Sequence, residues 1–177
     1  MSDDKSMDTW DAIRARRNVR EYSDRPISQQ DLQRILEAGR RAPSSQNWQP
    51  WNFVVVTDRN ELQDLSKVWH GARHVAGSAA TIALIGQDPA DAQHRDRLQY
   101  DFGQATANMM LAAVELGIGS GHSAVGDQAQ AQRVLGFPDD HFCAYLIALG
   151  YPAGRPLNPI AKPNRRPFDE VVHWDRW

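Results

Sequence analysis

Residues 41–51 read RAPSSQNWQPW, and residues 52–57 continue as NFVVVT. The first stretch is bounded by prolines and dense in short polar side chains: Ser44, Ser45, Gln46, Asn47 and Gln49. That is more than a tight turn needs. The second is short, apolar and mostly β-branched, which predicts a strand over 52–57. A little upstream, residues 16–20 read RRNVR, three arginines within five residues at the end of a predicted helix over 9–16. Hydrogen-bonding groups and cations around one loop–strand junction suit a ligand that is both anionic and rich in polar edges.

Working outward, Trp10, Ile13 and Arg17 fall on one side of the first helix. Ser28-Gln-Gln-Asp31 is an N-terminal cap with a carboxylate in the first turn. Leu32, Ile35, Leu36 and Gly39 follow at helical spacing, and this helix must stop before Pro43. Asp58 caps a third helix with Leu62, Leu65, Val68 and Trp69 on one stripe. Residues 79–86, AATIALIG, predict a buried strand, and 88–95 a polar connection. The longest helix is expected over 96–116, carrying Leu98, Phe102, Ala105, Met109, Ala112, Ala113 and Leu116 toward the core. GIGSG at 117–121 ends it and leads into an extended segment over 122–125. A small helix over 127–135 closes at Gly136, and 141–151 is another buried strand. The composition shifts to Pro, Arg and Asn in a C-terminal extension, 152–177. The expected class is α+β, a central sheet of mixed direction flanked by helices, in one domain over 1–177 with a polar tail at 1–7.

The 177 residues suffice for one core of ordinary size. A net charge of −2 gives no nucleic-acid footprint. Cys143 is the one cysteine, which excludes an internal disulfide and fits a reducing compartment, the cytoplasm. Residues 1–7 are not followed by the apolar region of a secretory signal, and no apolar run approaches the roughly 18 residues of a membrane span. GxGxxG, GxxxxGK[ST] and HExxH motifs are absent, and no serine sits in a nucleophile elbow. His70 and His74 are spaced like a metal pair but read as helix-end residues, so no metal site is expected. Of the six tryptophans, Trp48, Trp51, Trp69, Trp174 and Trp177 lie near loops or element ends. They read mainly as core or interface fillers.

Alone, RRNVR is a solvated helix terminus whose cations favour the helix dipole, and a basic tail is only solvated. Together with APSSQNWQPW the reading changes. These motifs, with PIS at 26–28, the long helix, LGYP at 149–152 and the Arg165-Arg166-Pro element, resemble the nitroreductase family of FMN enzymes along nearly the whole chain. The resemblance implies the nitroreductase fold, a homodimer, and one FMN per subunit at the interface. Arg16 or Arg17 would pair with the phosphate, and Asn18 belongs to the same motif. Arg20 would lie near the N1–C2=O edge of the flavin, where a cation favours the reduced form. Pro43, Ser44, Ser45, Asn47 and Gln49 would read the ring edge or the ribityl hydroxyls, largely in the neighbouring subunit's site. Arg165, more than Arg166, would add phosphate charge. A backbone N–H of the segment after the long helix would face the flavin N5. Most relatives carry an aromatic residue where His122 stands and Gly where Ala124 stands, so the exact donor in the segment His122–Val125 is left open, with Ser123 and Ala124 counted among the cofactor-binding residues.

The implied activity is reduction of nitroaromatics, quinones or similar electron-poor acceptors by NADH or NADPH in a ping-pong cycle. The flavin carries the chemistry, and no side chain is assigned a covalent or acid–base role. Two alternatives stay open: different chemistry on the same fold, such as dehalogenation, flavin fragmentation or enone reduction, and flavin storage without turnover.

Overall fold

A computed structural model describes residues 7–89 and 91–177; the polar segment 1–6 lies outside the described residues. The elements run α1 (Thr9–Ala15), α2 (Gln29–Arg40), β1 (Asn52–Val56), α3 (Arg59–Leu65), β2 (Ala80–Gln87), α4 (Ala92–Glu115), β3 (Gly119–Ala124), α5 (Gln128–Leu135) and β4 (His141–Gly150). Short 3₁₀ turns cover Ser45–Asn47, His70–Gly77 and Phe168–Glu170. No helix among the described residues is long and apolar enough to cross a membrane.

The strands form one sheet in the order β1-β2-β4-β3. The mixed direction expected of it reduces to a single parallel bridge, Asn18 with Ser120; the four strands pair antiparallel throughout. A buried apolar run such as 80–87 reads alike in parallel and antiparallel sheets, so periodicity could not supply the direction. Both faces of the sheet are covered. Ile82 and Leu84 of β2, with Ile147 and Leu149 of β4, pack under Ile35 of α2 and Leu98, Phe102 and Met109 of α4. Ala83 and Ile85, with Leu146 and Ala148, pack on the opposite side against Leu62, Leu65 and Val75. A register shift between Leu84 and Ile85 changes the alternation of β4. Cys143 therefore shares a face with Leu146, although their spacing is odd. The side chain of Gln128 bonds both backbone groups of Cys143 at this point.

Most helix ends follow the capping signals. Ser28 Oγ accepts the Asp31 N–H at 3.0 Å, Asp58 caps α3, and α5 closes on Gly136 in the left-handed region at φ 69°. The long helix begins earlier than expected. Asp91 Oδ1 accepts the His94 N–H at 2.9 Å and starts the helix at Ala92, so much of the expected 88–95 connection is helical; Ala90 lies outside the described residues. α3 ends at Leu65, which takes Val68 and Trp69 off the helix: Val68 stays in the core and Trp69 is exposed. On α1 the buried face is Ala12 and Ala15, whereas Trp10 and Ile13 face outward. Of the tryptophans only Trp51 is buried within the chain.

Candidate active site

α1 stops at Ala15, and Arg16 is already extended. The next residues lie along the outer edge of β3, where Val19 N–H donates to the Ser120 carbonyl at 2.9 Å. Gly121 makes this approach possible. A Cβ there would stand 2.4 Å from the Val19 carbonyl oxygen and 3.0 Å from His74 Nε2, a gap no side chain fits. Tyr22 fixes the segment from the other end by donating its hydroxyl to the Val19 carbonyl at 2.7 Å. Burial pushes that phenol above its usual range. Val19 turns inward, leaving Asn18 and Arg20 exposed.

The arginines of this segment border three cavities. Arg17 and Arg20 line one of about 230 Å³ together with Glu21 and Arg155. Arg16 and Arg17 line a groove of about 800 Å³ between α1 and residues 160–165, which also takes in Arg165. Arg16 alone reaches the third, of about 380 Å³, against α4. Some arginines elsewhere meet carboxylates, as Arg14 does Asp11, Arg34 Glu115, and Arg40 and Arg41 Glu37, whereas Arg25, Arg59, Arg73, Arg97, Arg133 and Arg176 stand singly without an ion pair among the described residues. Arg16, Arg17, Arg20, Arg155 and Arg165 form no ion pair among the described residues. Arg17 donates instead to the Arg155 carbonyl, and burial together with the Arg155 charge lowers its pKa. Guanidinium groups gathered with none of them ion-paired form a ready anion site, with Glu21 as the one carboxylate beside them.

The third cavity joins that charge to the sheet. His122 of β3 and Tyr145 of β4 line one wall with Arg16; Gln99, Gly103, Thr106, Ala107 and Met110 of α4 line the other. Gln99 Oε1 and Thr106 Oγ1 are buried without a hydrogen-bond partner, an unmet demand of the kind a ligand or water satisfies. Burial, and after it Arg16, Arg20 and His74, hold the His122 imidazole below its ordinary range. Leu149 gives its carbonyl to Ala79 on the β2 side and Ser120 gives its own to Val19. Strand alternation therefore turns the N–H groups of His122 and Ala124 away from β4, and that of Ser123 toward it.

The 43–49 loop stands elsewhere. Its fold is strained: Gln46, Asn47 and Gln49 have φ of 52°, 58° and 53°, a left-handed conformation that costs a non-glycine residue about 1–2 kcal/mol. Two contacts hold it. Ser44 Oγ accepts the Gln49 N–H at 2.9 Å, and the buried Asp101 carboxylate accepts the Ser45 N–H at 3.0 and 3.1 Å. Asp101 lies roughly 200° around α4 from Gln99. One chain thus presents the loop and the arginine cluster on different faces of the same helix, and the three cavities of the cluster contain no residue of 43–49.

Arg16, Arg17, Asn18 and Arg165 line one groove, and Arg20 lines the adjoining cavity with Arg17 and Asn18. Pro43, Ser44, Ser45, Asn47 and Gln49 form a second group, and Ser123 and Ala124 sit on β3 beyond His122. Arg166 does not join Arg165: it turns to Glu170, 3.4 Å from Nε to Oε2. His70 and His74 point apart: the ring of one lies tilted against Trp69 with centroids 4.1 Å apart, and Nε2 of the other lies 3.1 Å from the Gly121 carbonyl oxygen. Sequence reasoning missed Arg155, which stands three residues after the Pro152 of LGYP and could have been weighed as a third basic element. It also missed Gln99 and Thr106, polar residues seven apart on one side of a helix read only for its apolar stripe.

The nitroreductase family profile matches residues 13–72 and 67–151. An Archaeoglobus fulgidus protein named as an NADH dehydrogenase/NAD(P)H nitroreductase is 35% identical over 169 residues, 93% of this chain and 96% of its own. A similarly named crystal structure from Parabacteroides distasonis superposes with a TM-score of 0.82 at 28% identity, covering 96% of this chain and 98% of its own. The NADPH:FMN oxidoreductase of Vibrio harveyi, solved with NAD+, gives 0.78 at 26% identity over 96% of this chain and 77% of its own. With the profile spanning most of its length and a full-length relative above 30% identity, this chain belongs to the nitroreductase family.

Proposed function

We propose that the protein is an FMN-dependent oxidoreductase that uses NADH or NADPH to reduce nitroaromatics, quinones or similar electron-poor acceptors. We further propose that it works as a single-domain homodimer in the cytoplasm. The observation that carries this reading is the set of arginines without carboxylate partners beside a cavity lined by unsatisfied buried polar atoms. A terminal phosphate needs the first and a flat ring with polar edges needs the second. In this reading Arg16, Arg17 and Arg165 hold the phosphate, and Arg20 supplies positive charge at the pyrimidine edge of the ring. An outward N–H of β3, from Ala124 or from His122 two residues before it, is the donor toward N5. The α4 wall of Gly103, Ala107 and Met110 excludes water from one side. FMN held by these residues would supply the redox chemistry that links the nicotinamide to the acceptor.

The test is the cofactor itself. The purified protein should be yellow and release about one FMN per chain on heating, with FAD binding poorly because the arginines close around a terminal monophosphate. A protein that carries FAD, or neither carries nor takes up FMN, defeats the reading. Turnover is separated from storage by stopped-flow bleaching of the bound flavin with NADH and NADPH. Steady-state rates should give parallel double-reciprocal lines, since nicotinamide and acceptor use the same face in turn; intersecting lines would demand a separate nucleotide pocket.

A further inference from the structure

His74 is a buried imidazole whose ring makes one hydrogen bond among the described residues. It stands on the 3₁₀ turn His70–Gly77, beside the core residues Ala72 and Val75. Its Nε2 lies 3.1 Å from the Gly121 carbonyl oxygen. A carbonyl only accepts, so Nε2 carries the proton and His74 donates. Nδ1 is buried and has no partner among the described residues. For stability alone this is a poor choice, since an apolar ring would fill the same space and leave no polar atom unmet. The contact with Gly121 is what the imidazole adds. Gly121 is shaped to receive it: a Cβ there would stand 3.0 Å from Nε2 and 3.1 Å from Cδ2. By alternation along β3 the Gly121 carbonyl also turns toward Ala148, its register partner on β4. His74 therefore takes the second lone pair of an oxygen that the sheet already uses.

The carbonyl of Gly121 and the N–H of His122 are the two ends of one planar peptide. With the first turned to β4, the second lies on the outer edge of β3. There it meets no backbone carbonyl outside the strand ladder among the described residues. A donor at the carbonyl end draws electron density through the amide and leaves the N–H more positive, so hydrogen bonds in such a chain strengthen one another. We infer that His74 is a positioning residue for the hydride step. By binding the Gly121 carbonyl it fixes the plane of the Gly121–His122 peptide and polarises the N–H that this peptide offers to flavin N5. The inference rests on the flavin reading above and takes His122 as the donor, because His122 borders the cavity against α4 and Ala124 does not.

NMR of the flavin-free protein reads the contact without turnover. The ¹⁵N shifts of the wild-type His74 ring should place the proton on Nε2. His74→Phe keeps a ring and removes the donor, and the His122 amide proton should move upfield. His74→Gln, whose amide nitrogen reaches the place of Nε2, should return it toward the wild-type position. In the FMN-loaded protein, stopped-flow reduction by the better of NADH and NADPH should slow roughly two- to fivefold in His74→Phe, the share of one hydrogen bond that such polarisation supplies. His74→Gln should recover most of the rate, and both variants should keep their flavin. Three results overturn the inference: a wild-type proton on Nδ1, a His122 amide indifferent to His74→Phe, or a flavin-loaded His74→Phe reduced as fast as wild type. Slowing that His74→Gln does not relieve also overturns it, since packing and not the donor would then be at fault. The tautomer is read on the wild type, so the inference stays open to refutation if His74→Phe does not fold. The NMR measurements need no flavin, and failure of the FMN reading appears separately, in the extracted cofactor.

Discussion

Neighbouring arginines of α1 and its end do different work. Arg14, Arg16 and Arg17 all line the groove beside residues 160–165, but Arg14 is paired with Asp11 at 3.2 Å, whereas Arg16 and Arg17 form no ion pair among the described residues. Replacing both Arg16 and Arg17 with Ala should weaken FMN binding roughly ten- to a hundredfold, the loss of about 1.5–3 kcal/mol for a charge-assisted contact. Arg14→Ala should change it little. Equal losses in a fluorescence titration would mean a diffuse field instead of a clamp. His122 reports the same charges. Burial first, then Arg16 and Arg20, lower the proton affinity of its imidazole. Just below the free-histidine pKa of about 6.5, the unfolded chain binds a proton that the folded chain refuses. This residue's contribution to stability is therefore lost as pH falls through that window. In an NMR titration of the flavin-free protein His122 should titrate below free histidine. Its midpoint should rise in Arg16→Ala, and rise again in the wild type when FMN brings its phosphate to the cluster. A midpoint indifferent to both would remove the arginines as the cause.

At the scale of elements, the structure turns on how closely residues 16–20 lie against β3. Gly121→Ala would push a methyl into the Val19 carbonyl, 2.4 Å from the added carbon. That contact is to backbone and cannot be relieved by a rotamer. The variant should lose about 1–3 kcal/mol in a denaturant melt, the range for overpacking, and hold flavin less well because Arg16 and Arg20 move with Val19. A stable variant with full flavin would show that the segment is free to shift. Here the limits of the sequence are also clear. The caps at Ser28, Asp58 and Gly136 are local chemistry and were legible as such. The start of α4 was not, because Asp91 and His94 stand in a run of polar residues with no apolar period to announce a helix. Sheet direction, the β4 bulge and the docking of Val19 on β3 depend on residues far apart in the chain, which no local pattern encodes. The site divides in the same way. RRNVR and APSSQN were readable because each is contiguous, whereas Arg155, Gln99 and Thr106 join the cluster only through folding.

For the whole molecule, the question is why one chain keeps the two groups of residues proposed for its site apart. The 43–49 loop is tied to Asp101, while Gln99, Thr106 and the arginines look out from another face of α4. The chain also leaves large apolar groups uncovered: Trp10 and Ile13 on α1, and Phe168, Trp174 and Trp177 in the C-terminal extension. Apolar surface of that size fits an interface better than solvent. A two-fold dimer would cover it and could bring the loop of one subunit to the arginines of the other. Complementation tests this directly. Asn47→Ala damages only the loop half and Arg20→Ala only the cluster half, so each homodimer has two broken sites. Random exchange makes about half of the dimers hybrid, each with one intact site of two, and activity should recover to about a quarter of wild type. Exchange is verified by native mass spectrometry. Confirmed hybrids no more active than the parents would mean that each site is built within one chain, and that the loop reaches the arginines by a rearrangement of α4 instead of by dimerisation.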